Sequence, residues 1–155
     1  MKEIKFTVFG EAKSARDRTA LVKDKTGTVV GFRRYMPAHI KKWQDRIRQE
    51  ALNFIQPTLW EGPVELSLIF YLPAPAHLPK SKFRAHLTKP DFKNLLYIVE
   101  DALSGVLFKD DRQVGKGIIE KHYARELIDG KYQPTHPRVE ICVQWDEKEE
   151  ALRPK

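Results

Sequence analysis

The chain has 155 residues, 41% hydrophobic and 32% charged, which fits one folded domain rather than a disordered segment. Its 28 Lys and Arg against 21 Asp and Glu leave a net charge of +7, suited to a polyanionic partner as well as to plain solubility. The single Cys142 excludes an internal disulfide, no apolar run approaches the ~18 residues of a membrane span, and Met1-Lys2-Glu3-Ile4-Lys5 lacks a signal peptide's apolar stretch, so a reducing cytoplasm is expected.

Ile4, Phe6 and Val8 alternate with Lys5 and Thr7, the period of a half-buried strand that Gly10 ends. Glu11 to Lys25 carries much charge and little apolar periodicity, and is read as a loop. After the Lys25-Thr26-Gly27 turn, Thr28 to Arg33 forms a short strand in this reading. Pro37 opens a helix with Ile40, Trp43, Ile47, Ala51 and Phe54 on its apolar stripe, closed by Pro57 and Gly62-Pro63.

Val64, Leu66, Leu68 and Phe70 alternate as a further strand. Pro73, Pro75 and Pro79 then exclude regular structure to about Phe83. Asp91 to Leu103 is the second helix, with Leu95, Val99 and Ala102 inward and Gly105 at its end. Val114 to Tyr123 reads as a strand, Asp129-Gly130 as a turn, and Val139, Ile141, Val143 and Trp145 as a closing strand. The order predicts a single α+β domain over residues 1–146, a mixed sheet carrying two main helices, with a charged tail at 147–155.

Cations concentrate between Lys13 and Lys42, among them Arg16, Arg18, Lys23, Lys25, Arg33, Arg34 and Lys41, which points to a phosphate-facing arm and helix. Acids concentrate at Asp91, opening the second helix, and at Asp110-Asp111, between that helix and the next strand. One reading makes Asp91 a helix cap and Asp110-Asp111 a turn. The other folds the connection back so that two or three carboxylates converge on a magnesium ion, which takes one or two carboxylates together with substrate phosphate. Spacing alone leaves both open.

The run Lys89-Pro90-Asp91-Phe92-Lys93-Asn94-Leu95, then Asp101-Ala102-Leu103, then Phe108-Lys109-Asp110-Asp111-Arg112-Gln113-Val114 resembles the signature of the RusA family of Holliday-junction resolvases. That signature reads Lys-Pro-Asp-x-Asp-Asn-Leu-x-Lys, Asp-Ala-Leu, and a turn into Asp-Asp-x-Gln-Val/Ile. The likeness is close over about residues 88 to 114 and looser in the flanks, where Gly10-Glu11-Ala12-Lys13 leads into a basic loop. It implies an α+β homodimer that nicks opposing strands of a four-way DNA junction with Mg²⁺, in recombination or repair, with a phage or prophage as one origin. Asp91 and Asp111 match the catalytic, metal-holding carboxylates and Asp110 an assisting one, Asn94 matches the family's Asn and would support the loop, and Asp101 matches a structural position. Lys13, Arg16, Arg18, Lys89 and Arg112, with Lys93, would face DNA phosphates.

Two positions depart from the pattern. Lys93 stands where the family places its second acid, and Tyr97 where it places a Lys, and the two share a helix face. A Lys among carboxylates would pair with them and weaken metal binding. Two alternatives stand: Glu100 or Asp110 replaces the missing acid, or Lys93 contacts the scissile phosphate directly. Two functions follow: a structure-selective endonuclease, or a catalytically impaired protein that still grips junctions. A basic accessory protein with a protein partner is a third, carried by charge alone.

The other candidates are weaker. His39, His77, His86, His122 and His136 lack metal-ligand spacing. Trp43 falls on the apolar stripe and reads as core, although Trp43 and Trp60 are also candidate base-stacking residues. No glycine-rich phosphate loop or Ser/His/Asp hydrolase signature is present.

Overall fold

The computed structural model describes residues 1–13, 18–78 and 90–148, with the backbone alone at Arg18. A four-stranded mixed sheet carries two helices on one face. Its strands are β1 (Lys2–Phe9), β4 (Val64–Leu72), β5 (Val114–Tyr123) and β8 (Arg138–Trp145), in the spatial order β1-β8-β4-β5. Pairing is antiparallel except between β4 and β5. Those two are parallel because α2 (Phe92–Leu103) lies between them in sequence and carries the chain back over the sheet.

Alternation decides which face is covered. Val64, Leu66, Leu68, Phe70 and Leu72 of β4 and Val139, Ile141 and Val143 of β8 point to one side and are buried. Onto that side α1 (Ala38–Leu52) sets Ile40, Trp43, Ile47 and Ala51, and α2 sets Leu95, Ile98, Val99, Ala102 and Leu103. Pro37 is the residue that α1 starts from, as its missing N–H predicts. Phe54 falls beyond the end of α1 and stacks on Phe6 of β1, ring centroids 5.2 Å apart. Trp43 is core, as its place on the stripe predicts.

Two hairpins stand apart from the main sheet. One pairs β2 (Arg18–Lys23) with β3 (Val29–Tyr35), so the loop read from Glu11 to Lys25 is corrected: its second half is a strand. Both faces of this ribbon are largely exposed, so no inside-outside alternation was imposed on its sequence. The other hairpin pairs β6 (Arg125–Ile128) with β7 (Lys131–Pro134) around Asp129-Gly130, both at positive φ, as a two-residue turn requires. The turn was legible; its short, exposed strands were not.

The domain is single and α+β. No helix among the described residues is long and apolar enough to cross a membrane.

Candidate active site

The signature residues of the sequence lie along α2 and in the single 3₁₀ turn, Asp111–Gln113, that leads into β5. Asp91 occupies the capping position of α2, yet its side chain makes no capping bond to the helix N–H groups. It accepts instead a long hydrogen bond from Asn94 Nδ2, 3.4 Å to Oδ1. The carboxylate is exposed and faces solvent at a helix N-terminus, whose partial positive charge favours an anion. The plain capping role therefore does not account for it.

Beside Asp91 the backbone is fixed from the sheet. Lys121 stands opposite Phe70 in the β4–β5 register, on the helix-bearing face. Its ammonium donates to the Pro90 carbonyl at 2.9 Å and lies 5.4 Å from the Phe92 ring centroid. Sequence reasoning missed Lys121, because only the parallel crossover brings the end of β5 to the start of α2.

At the other end of α2 the two neighbouring aspartates divide the work. Asp110 Oδ1 accepts from the Arg112 backbone N–H at 2.9 Å and from its Nε at 3.0 Å, while Oδ2 accepts from Nη2 at 2.9 Å. The Arg112 guanidinium and backbone N–H hold the Asp110 carboxyl well below the usual carboxylate range. Asp110 is thus the turn residue of the plain reading. Arg112, expected on phosphates, is forked onto Asp110, although a pair this exposed is worth little and leaves a phosphate able to compete.

Gln113 fills the Gln position of the signature, and its bonds show what that residue type does here. Its Oε1 accepts from the Asp110 N–H at 2.7 Å, and its Nε2 donates to the carbonyls of Trp60 at 2.9 Å and Gly62 at 2.7 Å. An amide carries two N–H donors beside an acceptor oxygen, the set used here, and it ties the turn holding Asp111 to the loop before β4. Trp60 is part of that support, its indole N–H bonded to the Pro63 carbonyl and its ring 6.1 Å from that of Trp145.

Asp111 is exposed, in a turn that packs against α2, and Glu100 of that helix feels its charge. Burial of Glu100, and then the charge of Asp111, push the Glu100 carboxyl above its ordinary range. Lys93, Tyr97 and Glu100 are spaced i, i+4 and i+7 and so share one face of α2. Both acids weighed as a substitute for the one missing at Lys93 act with Asp111: Asp110, forked by Arg112, interacts with its side chain, and Glu100 feels its charge from α2. The expected counter-ion role of Lys93 does not appear: among the described residues it forms no ion pair with a carboxylate.

The acids do not all converge. Glu100 lies nine positions after Asp91, about 14 Å along the axis at ~1.5 Å per residue. Among the described residues no group of three or more His, Cys, Asp or Glu side chains comes together. Glu100 and Asp111 nevertheless offer oxygen donors, a donor set that fits a hard divalent cation. Asp101 is structural, as expected: its Oδ2 accepts from Gln44 Nε2 at 2.7 Å, and Arg48 bonds its carbonyl at 3.1 Å, clamping α1 to α2.

Of the expected phosphate contacts, Lys13 pairs with Glu11 at 3.7 Å. Arg16, Lys89, the Arg18 side chain and His86 lie outside the described residues. The cations of the basic segment fall on the β2–β3 ribbon, at Lys23, Lys25, Arg33 and Arg34, and on α1, at Lys41 and Lys42, all exposed.

A family model described as Endodeoxyribonuclease RusA matches residues 13–144, which span the ribbon, both helices and the acids Asp91, Glu100, Asp101, Asp110 and Asp111. The uncharacterized protein YqaN of Bacillus subtilis (strain 168) is 31% identical over 150 residues, covering 90% of this chain and 94% of its own length.

Proposed function

The chain belongs to the RusA endodeoxyribonuclease family, and from that premise we propose that it is a magnesium-dependent, structure-selective endonuclease resolving Holliday junctions or other branched DNA in recombination and repair. The observation that carries this reading beyond the family match is the packing of the Asp111 turn against α2, where burial and then the Asp111 charge push the Glu100 carboxyl up. Two such carboxylates are disfavoured without a cation and become favourable once one is bound.

In this reading Asp111 is the principal metal ligand and Glu100 takes the place of the acid missing at Lys93. Asp91 is the second family-matched carboxylate, at the opposite end of the same helix. Magnesium, when bound, supplies Lewis-acid stabilisation of the charge that grows on the phosphoryl oxygens. The protein's own groups position the DNA. Lys93, exposed on the same helix face as Glu100, meets the phosphodiester, and Lys121 with Asn94 holds the start of α2 and the Asp91 carboxylate in place. A homodimer, cytoplasmic in its setting, supplies two such sites for opposing strands.

The test is cleavage of a labelled synthetic four-way junction with Mg²⁺ by the wild type, Asp111→Asn and Lys93→Asp. Paired nicks that vanish in Asp111→Asn support the enzyme and make Lys93 tolerated or useful. Binding without nicks, with cutting gained in Lys93→Asp, means a junction-binding protein with an impaired site, and the reading is then wrong.

A further inference from the structure

The β2–β3 ribbon exposes apolar side chains that the domain has no use for. Its strands bond only to each other, forming a sheet separate from the main one, and an isolated two-stranded hairpin is marginal in water. Phe32 is 72% exposed, Val30 62% and Leu21 55%. Leu21 stands directly opposite Phe32, so the two share a face, and Val30 lies next to them at the register shift, where it has no partner on β2. One exposed apolar residue is ordinary; three adjacent ones on a projecting ribbon mark a contact surface.

The charges around that patch say what covers it. Arg34 follows on the same face, opposite Thr19, with Arg33 beside it on the other face. Lys23 and Lys25 flank the turn. The one acid of the ribbon, Asp24, is used inside the turn, accepting from the Thr26 hydroxyl at 2.6 Å and the Thr28 N–H at 3.0 Å. A second copy of the ribbon would set the same cations against these, which electrostatics opposes. A polyanion with accessible apolar faces fits both features: cations on phosphates, aromatic and aliphatic groups on bases. Intact duplex stacks its base faces away, whereas a branch point exposes them.

We propose that the β2–β3 ribbon engages the branch point of the DNA, packing Phe32 with Leu21 and Val30 against base faces exposed where strands exchange, while Arg33, Arg34 and Lys23 hold the flanking phosphates. This rests on the resolvase reading and deepens it: the ribbon reads branched structure, and the acids of α2 and the following turn serve the chemistry.

The experiment measures binding of the full chain, in Mg²⁺-free buffer, to a synthetic four-way junction and to a linear duplex of the same sequence. It compares the wild type with Phe32→Ala and Phe32→Trp, and follows oligomeric state by light scattering. Phe32→Ala is expected to lose about tenfold in junction affinity, keep duplex affinity within about twofold, and be rescued by Phe32→Trp. Unchanged junction binding, or an equal loss on both DNAs, overturns the proposal. A change in oligomeric state overturns it too, since the patch is then an interface between copies. A wild type with no preference for the junction fails the resolvase reading itself, and the ribbon proposal with it, before any variant is compared.

Discussion

Asp111 stands in a turn packed against α2, and its charge, second to burial, raises the Glu100 carboxyl above its ordinary range. Neutralising Glu100 relieves that repulsion without opening a cavity. Glu100→Gln is therefore expected to leave the thermal midpoint, measured without metal, unchanged or slightly higher. Mg²⁺-dependent junction cutting should fall by at least the roughly 10–100-fold typical of losing an outer partner of a metal ligand. A parallel loss of stability and cutting would make Glu100 a packing residue only.

Asp101 belongs to the signature but works in the helix interface. Gln44, 5% exposed, donates to Asp101 Oδ2 at 2.7 Å and to the Ile98 carbonyl at 3.3 Å. Asp101→Ala leaves a buried amide under-bonded, a loss of about 1–3 kcal/mol in denaturant unfolding. Its junction affinity at a temperature where both proteins are folded should match the wild type; a selective loss of binding would move Asp101 into the site.

Lys121 ties the start of α2 to the sheet through the Pro90 carbonyl. Lys121→Met removes that bond from a half-exposed position, so the stability loss is small, about 1 kcal/mol. Cutting is expected to fall more than stability does, because Asp91 follows Pro90 directly. Lys121→Arg, which keeps a donor, should recover part of the rate in a single-turnover assay. Equal rates for wild type and Lys121→Met would remove Lys121 from the positioning of Asp91.

Asp24 sets the turn of the β2–β3 ribbon, and its bonds from the Thr26 side chain and the Thr28 backbone lower its carboxyl pKa. A depressed folded-state value means that the carboxylate's contribution is present above the ordinary carboxylate range and is lost as pH falls through the depressed value. The Thr26 and Thr28 amide shifts should therefore titrate together at low pH, below a free aspartate. Titration at the ordinary aspartate value would show that the turn does not depend on Asp24.

Much of the fold was legible in the sequence because burial leaves a local trace. The alternation of Val64 to Phe70 and of Val139 to Trp145, and the helical stripes from Ile40 and from Leu95, each record which side of an element meets the core. The linked blocks around Asp91, Asp101 and Asp111 likewise marked the residues to examine, and the resemblance they carry agrees with the family. Where an element is exposed on both faces the trace disappears, which is why β2, β6 and β7 went unread among charged residues.

The relationships between distant residues were decided by the tertiary structure. Whether Asp91 caps its helix, how Asp110 and Glu100 act with Asp111, and which lysine holds Pro90 depend on where the β4–α2–β5 crossover returns the chain. Charge repulsion, hydrogen bonding and burial act through space over a few ångströms, so residues such as Pro90 and Lys121, 31 apart in sequence, acquire their roles only once the parallel strand pair has formed.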